Sequence, residues 1–538
     1  MKKNILISFL LIQVFHLSIV NCELHAQPGI LDNTFGNEGR IAAVLPGNGT
    51  AQLYNTAIQK DNKIVVVGIL QNATGTEREL IVLRYLENGV IDSSFGINGY
   101  TVIEDGPILS SCCVAIQNDG KIVVGGEGFF DPRTILYRFM PDGSLDRSFG
   151  SDGIAITDLG GYSGVTDLAL LVDGKILIGG TFYDLDDQTY AFYSYAARFN
   201  EDGSIDRSFG KEGRCIVDSG RTATCLINSL AVGKDGRIIL VGNNALGVSY
   251  GTLIFVAAIT AEGKTDSSFN DNGYTYTDIS NNGETAEDVV VLNDGKIIAA
   301  GASYIFQFNG AKQHIALVRY NRDGSLDEGF GNKGTVETLV NEESYGYSMQ
   351  LQQNGKIVVG GKSLQSNGTN DFMVARFLAD GSLDSAFGTN GFAVTDMGDN
   401  DIGKSISIQN DGKIILGGTP NVLMARKAGI LMARYNGDPV RISLITRLKR
   451  WIRNHCLHFT DEQANTAAYY VIERSSNSSS GFKEIARINK YEISNSLTKS
   501  GGKSETYSYL LPQTSNEQKT RNPASVGAGE KLLSHKGS

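Results

Sequence analysis

A chain of 538 residues with 41% apolar content can bury a large core and hold several domains. Its net charge of −10 excludes nucleic acid as the main partner, because phosphate binding needs a basic surface. The balance of 64 Gly and 9 Pro with 22 Tyr and 23 Phe suits an all-β chain of glycine turns between aromatic and β-branched strands.

The N-terminus reads as a signal peptide over residues 1–26. Lys2 and Lys3 precede an apolar run from Ile5 to Val20, and Gln27 would be the first mature residue. Cys22 offers lipidation as an alternative, although Asn21 before it suits that poorly. No later apolar run is long enough to span a bilayer, so no transmembrane span is expected. The protein is therefore expected to be secreted, at the outer-membrane surface or outside the cell, with the periplasm as the alternative.

From Asp32 onward one pattern repeats. Asp32, Asp92, Asp146, Asp206, Asp266, Asp327 and Asp384 each open Asp-x-x-Phe, followed by Gly (Asn270 in one copy) and a second Gly three residues later. The steps are 60, 54, 60, 60, 61 and 57 residues, which marks one supersecondary unit copied in tandem. Within the copy at Asp146, β runs follow at Ile154–Thr157, Val165–Val172, Lys175–Ile178 and Tyr193–Phe199. Asp173-Gly174 between the second and third predicts a two-residue hairpin with both positions at positive φ. The fourth run ends in Arg198-Phe199, and its counterparts end in Arg-Tyr or Arg-Phe everywhere except Ala258-Ile259.

Seven units of four antiparallel strands predict a seven-bladed β-propeller over residues 27–437. An open stack would leave two apolar faces bare, whereas a closed ring leaves none. The anchor at Leu31–Gly39 precedes the first complete unit, and Arg434-Tyr435 has no anchor after it. Closure would bring these ends together. The strand after the second Gly is expected innermost, and the run from Arg-Tyr/Phe to Phe-Gly is expected to cross between blades.

The phrases Asp-Gly-Lys-Ile-Val-Val-Gly-Gly, Ala-Arg-Phe and Asp-Gly-Ser-Leu-Asp-x-x-Phe-Gly together resemble the delta-60 β-propeller repeat family. The resemblance covers Gly29 to about Gly437. It implies a propeller scaffold in a secreted or surface-associated bacterial protein, and no established enzymatic activity. Beyond it, Tyr469–Ser476 and Phe482–Ile485 resemble the middle strands of fibronectin-type III-like modules of secreted Bacteroidetes proteins. An incomplete β module is thus expected at 438–512, with a disordered tail at 513–538.

Candidate chemistry is sparse. The anchor Asp and Phe recur in every unit, which favours turn-capping and gap-filling over seven separate sites. Asn321, Asp323, Gly324, Ser325 and Asp327 are similar to a calcium loop, but the Gly falls at the fourth position rather than the sixth. The residue five after the second Gly is Glu104, Asp158, Asp218, Asp278 or Asp396, with Val44 and Leu339 in the remaining units. With the first strand innermost, these acids form an axial ring able to recruit a cation such as calcium; otherwise they cap the next turn. No other cofactor is expected. His314 is the propeller's only histidine and reads as a strand residue, so no Ser/His/Asp set is visible. Cys215 and Cys225 flank a predicted hairpin loop and could bridge or stay as buried thiols.

The expected function is a monomeric binding or structural scaffold for an unidentified protein or glycan, and not an enzyme. A hydrolase or lyase acting on polysaccharide is the alternative. A deep axial pocket with one asymmetric cluster of acid, base and Arg would favour it, and the absence of one would favour binding. Recognition is expected in the loops that vary between units: Gln71–Glu79, Tyr183–Tyr190, Ser303–Gln313 and Leu364–Asn370.

Overall fold

The computed structural model describes residues 27–438 except 44–49, 73–77, 105, 108, 110–111, 127, 129–132, 184–191, 218–223, 246–250, 281, 308–309, 399 and 421–428, and beyond them only short strands between 459 and 534. The chain forms two compact units, residues 1–439 and 440–538. The first is a seven-bladed propeller of four-stranded antiparallel sheets. In the second, Tyr469–Arg474 pairs with Lys483–Asn489 and Leu532–Ser534, and Phe459–Thr460 pairs with Thr506–Tyr507. The signal peptide and most of the expected module and tail lie outside the described residues. Among the described residues no helix is long and apolar enough to cross a membrane.

The radial order is the reverse of the expected one. The seven strands that touch one another in succession around the ring are Thr50–Ile58, Cys113–Ile116, Tyr162–Leu170, Thr224–Val232, Glu284–Val291, Glu343–Leu351 and Asp401–Ile408. These are the inner strands. The four-residue strand after the second Gly, such as Ile154–Thr157, lies at the outer edge of its blade. The run from Arg-Phe to Phe-Gly accordingly stays within one blade, joining its third strand to its outer strand. The second and third strands are covered on both faces, which explains runs such as Ile122–Gly126 and Thr134–Phe139 that are buried throughout.

The hairpin between inner and second strands also differs in detail. Leu171 N donates to Lys175 O and Gly174 N to Leu171 O, and only Gly174 is left-handed, at φ +85°. This is a three-residue loop whose last position bulges, and it needs glycine only there.

The ring closes where expected. The N-terminal strand Arg40–Ala43 is the outer strand of the last blade and pairs with Ile430–Tyr435. Asp32 N donates to Arg434 O, and Leu31 bridges Tyr435.

The repeated anchor is the joint between blades. Asp146 Oδ1 accepts from the N–H and hydroxyl of Ser148, and its Oδ2 accepts from Arg138 Nε at 2.8 Å. The Arg138 guanidinium lies 4.5 Å over the ring of Phe149, which is fully buried. Arg138 also donates to Glu201 O, and Gly150 N to Asp202 O, both in the next blade. Phe149 packs on Gly203 of that blade, where a Cβ would meet its ring at 2.9 Å. The Asp-Gly turn therefore needs glycine for its φ of +87° and for the neighbouring phenyl. The same bond from the anchor Gly recurs around the circle and ends with Gly388 N on Pro28 O. In every blade but the fourth a lysine after the hairpin, Lys121 in blade 2, reaches the same Asp.

Blade 4 lacks the arginine, with Ala258 in its place. There the residue after the hairpin is Arg237, whose guanidinium bonds Asp266 at 2.8 Å, Ser268 Oγ at 3.2 Å and Arg322 O. One guanidinium is kept and delivered from the adjacent strand. Arg237→Lys should destabilise the protein by about 2 kcal/mol, because an ammonium cannot span those partners. Adding Ala258→Arg should restore the loss by recreating the other blades' pattern. Urea denaturation of both single variants and the double variant checks this: additive effects would contradict the exchange.

Candidate axial site

The inner strands build the site. Six of them carry a β-bulge, at Tyr54, Thr166, Asn228, Glu287, Tyr347 and Lys404. A bulge leaves one residue out of the ladder and re-aims its side chain. All six are partly exposed although they sit on the innermost strands, so they face the axial channel. Opposite each bulge the second strand carries glycine. At Gly361 a Cβ would stand 1.8 Å from Tyr345 O, and at Gly180 it would stand 1.9 Å from Gly164 O. The recurrent Gly-Gly is thus the sequence mark of the bulge.

The bulge residues differ from blade to blade, and in blades 5 to 7 they gather into one cluster. The Tyr345 hydroxyl donates to Glu287 Oε1. Tyr345 and Tyr347 lie with ring centroids 4.4 Å apart, tilted 33°. Lys404 Nζ stands 4.3 Å from the centre of the Tyr347 ring, and Lys362 Nζ stands 5.9 Å from that of Tyr345. Burial raises the Glu287 carboxyl above the usual range, against the hydrogen bonds of Tyr345 and Thr285 and the charge of Lys404. Burial lowers the ammonium pKa of Lys404 and of Lys362. Tyr347 is pushed up to about 12 by burial and then by Glu287, so its phenol stays protonated. A carboxyl raised by burial, two ammoniums lowered by it and two phenols stand together on one side of the axis.

Beside the bulge runs a second belt. Asp167 accepts from Ser229 Oγ at 2.8 Å and Leu230 N at 3.0 Å on the next inner strand. Asp288 accepts from Met349 N at 2.6 Å and Ser348 Oγ at 3.1 Å. Ser348 Oγ accepts from Ile406 N, and Ser405 Oγ from Thr56 N. Each of these side chains caps the backbone of the following blade.

The expected acidic ring is not axial. Glu104, Asp158, Asp278 and Asp396 follow the ends of outer strands and are exposed, and Asp218 lies outside the described residues, as does Val44. The cause is the reversed strand order. Asp158 Oδ1 accepts from Gly160 N at 2.7 Å and Asp396 Oδ1 from Gly398 N at 2.8 Å, which is the turn-capping alternative. Asp396 also stands with Asp371 and Asp401, their carboxylate oxygens within 4.8 Å of one another; this trio has the donors to hold a cation. In the Asn321–Asp327 turn, Asp323 takes the N–H and hydroxyl of Ser325, and Asp327 pairs with Arg319 and Lys296. His314 is a strand residue opposite Ser303. Cys215 and Cys225 are free buried thiols, on the outer strand of one blade and the inner strand of the next. Of the variable loops, Leu364–Asn370 is described throughout; it leaves the ring at the end where the inner strand begins, since Glu343 pairs with Leu364.

Five stretches, 59–95, 117–149, 173–209, 292–330 and 352–387, match the family model described as "Domain of unknown function (DUF5122) beta-propeller". These five stretches are similar to that family's propeller repeat. No curated protein matches the sequence. Among solved structures, polysaccharide lyase Uly1 is similar at 12% identity over 75% of this chain and 91% of its own, with a TM-score of 0.43. The α-L-arabinofuranosidase Arb93A from Fusarium graminearum is similar at 12% identity over 76% and 98%, at 0.37. The β-propeller domain of the Trilobed protease from Pyrococcus furiosus is similar at 12% identity over 73% and 99%, at 0.39. These are likenesses of fold. The expectation that the chain is not an enzyme does not stand: Glu287, Tyr345, Tyr347, Lys362 and Lys404 gather on one side of the axis, a set that repeat-wise reading missed.

Proposed function

We propose that the chain acts on polysaccharide at the axial mouth of the propeller. The observation that carries this is the tilted Tyr345–Tyr347 pair, set beside the Glu287 carboxyl on one side of the channel. Aromatic faces pack on the C–H faces of sugar rings, and polar groups beside them fix orientation. The variable loop Leu364–Asn370 at the same end of the ring would supply further contacts.

Turnover is the second part of the reading. Burial raises the Glu287 carboxyl, which favours the protonated form able to donate to a departing glycosidic oxygen. The protein is expected to bind glycans in an array screen, and Tyr347→Ala is expected to weaken that binding about tenfold. Glu287→Gln should leave binding intact while reducing product release, measured as new reducing ends or unsaturated ends. Binding unaffected by Tyr347→Ala would remove the site from consideration.

A further inference from the structure

The other partly buried lysines described in this propeller all have a carboxylate partner, Lys312 pairing with Glu342 at 3.0 Å. Lys63, Lys121, Lys175, Lys296, Lys356 and Lys413 each bond an anchor aspartate, at distances between 2.7 and 3.3 Å. Lys362 and Lys404 differ. Both are half-buried at the axial cluster, and among the described residues neither has a carboxylate within 4.0 Å or an oxygen acceptor within hydrogen-bonding distance. They come from adjacent blades and rest on the two tilted tyrosines. Glu287, the acid that blade 5 contributes, is engaged by Tyr345 and Thr285, and Glu343 acts on Lys362 only through space.

Burying an ammonium without a counter-ion is costly, and the tyrosine faces offset only part of that cost. The donors on both lysines point to a group that arrives with the ligand. Building on the polysaccharide reading above, we infer that the axial mouth selects an anionic glycan, with Lys362 and Lys404 gripping a carboxylate or sulfate while Tyr345 and Tyr347 carry the sugar ring. A neutral glycan would leave both ammoniums desolvated and unpaired, so charge decides the specificity here more than shape.

The test compares ligands that share a backbone and differ in charge. Calorimetry on the full chain would use polygalacturonate against its methyl ester, and dextran sulfate against dextran. Tighter binding of either charged member, lost by about tenfold with Lys404→Met or Lys362→Met and recovered with Lys404→Arg, is the expected result. The arm that responds distinguishes carboxylate from sulfate. Thermal melting of each variant separates loss of the site from loss of the fold. Equal binding of charged and neutral members, or binding indifferent to both lysines, overturns the anionic selection and leaves the polysaccharide reading standing. Binding of none of the four overturns both.

Discussion

Replacing Arg434 by alanine is expected to open the ring. Arg434 is almost fully buried and bonds Asp32 at 2.9 Å, Thr34 Oγ1 at 3.0 Å, Gln409 Oε1 at 3.1 Å and Glu87 O. It also lies 4.7 Å over Phe35. Its removal leaves Asp32 buried with Lys413 as its one remaining cation. Losing one partner of a buried pair costs about 3–5 kcal/mol, and the surviving lysine places this case near the lower figure. Arg138→Ala removes the same chemistry from a joint whose two sides are close in sequence. Arg434→Ala removes it where the chain ends meet, so it should also free the strand Arg40–Ala43. Denaturation should show comparable losses for the two variants, whereas limited proteolysis should cut near the N-terminus in Arg434→Ala alone. Equal resistance at that strand would mean that Leu31, Phe35 and the ladder to Ile430–Tyr435 close the ring without the arginine.

The joint also carries an acid limit. Burial alone would raise the Asp32 carboxyl, but the Thr34 hydrogen bonds, Lys413 and Arg434 outweigh it and hold the carboxyl at about 2. A depressed carboxylate stabilises the fold above its unfolded value, near 3.9, and that contribution disappears as pH falls towards 2. Arg434→Ala should therefore lose less stability than the natural protein across that interval.

The blade count, the ring closure and the joint were all legible in the sequence, because each follows from residues that every copy must keep. Phe149 has to fill the space over Gly203, and Asp146 has to cap Ser148, in all seven places. The radial order was not legible from that periodicity. A four-stranded blade has two edges, and a repeat unit can be cut at either without changing its period. The deciding marks were present but small: the inner strands run to nine residues where the outer ones run to four, and Gly179-Gly180 sits opposite the bulge. Reading the wrong edge as inner put Glu104, Asp158, Asp218, Asp278 and Asp396 at the axis and hid Glu287, Tyr347 and Lys404. That cluster also escapes motif reading for a general reason. Its members share one register on three strands about 60 residues apart, and they matter because they do not repeat. The exchange of Ala258 and Arg237 is of the same kind: each looks like an unremarkable departure until the strands are laid side by side.

Asp288→Asn is expected to flatten the dependence of stability on pH between about 4 and 7. Ser229 Oγ lies 2.8 Å from Asp167 Oδ2 and 3.1 Å from Asp288 Oδ1. A hydroxyl has one proton and can donate to one carboxylate. The second contact is a hydrogen bond only if a carboxyl supplies the proton. Asp167 accepts from Leu168 N, Leu230 N and Ser229, and Asp288 from Val289 N, Met349 N and Ser348, so the two carboxyls are alike in partners and share that proton as a coupled pair. Burial, with the charge of Asp167 adding to it, pushes Asp288 up to about 7 even though Met349 N, Val289 N and Ser229 favour the anion. A carboxyl raised in the folded state binds its proton more tightly there than in the unfolded chain. Its contribution is therefore complete below about 4 and is lost as pH rises through about 7. Three pH units correspond to on the order of 4 kcal/mol, shared between two coupled carboxyls, so the asparagine variant should remove a sizeable part and not all of it. Blade 1 already carries Asn55 at this register, which shows that the amide fits the belt. Denaturation across the pH series decides the point, since a slope unchanged by Asp288→Asn would place the proton on Asp167. The belt lies on the same inner strands as Glu287, Tyr347 and Lys404, one residue beyond each bulge. Ionising Asp288 would put a second negative charge beside Asp167 and repel it across Ser229. The strands that hold the axial cluster would then loosen from their neighbours, so the polysaccharide site should weaken over the same pH interval in which the ring loses stability.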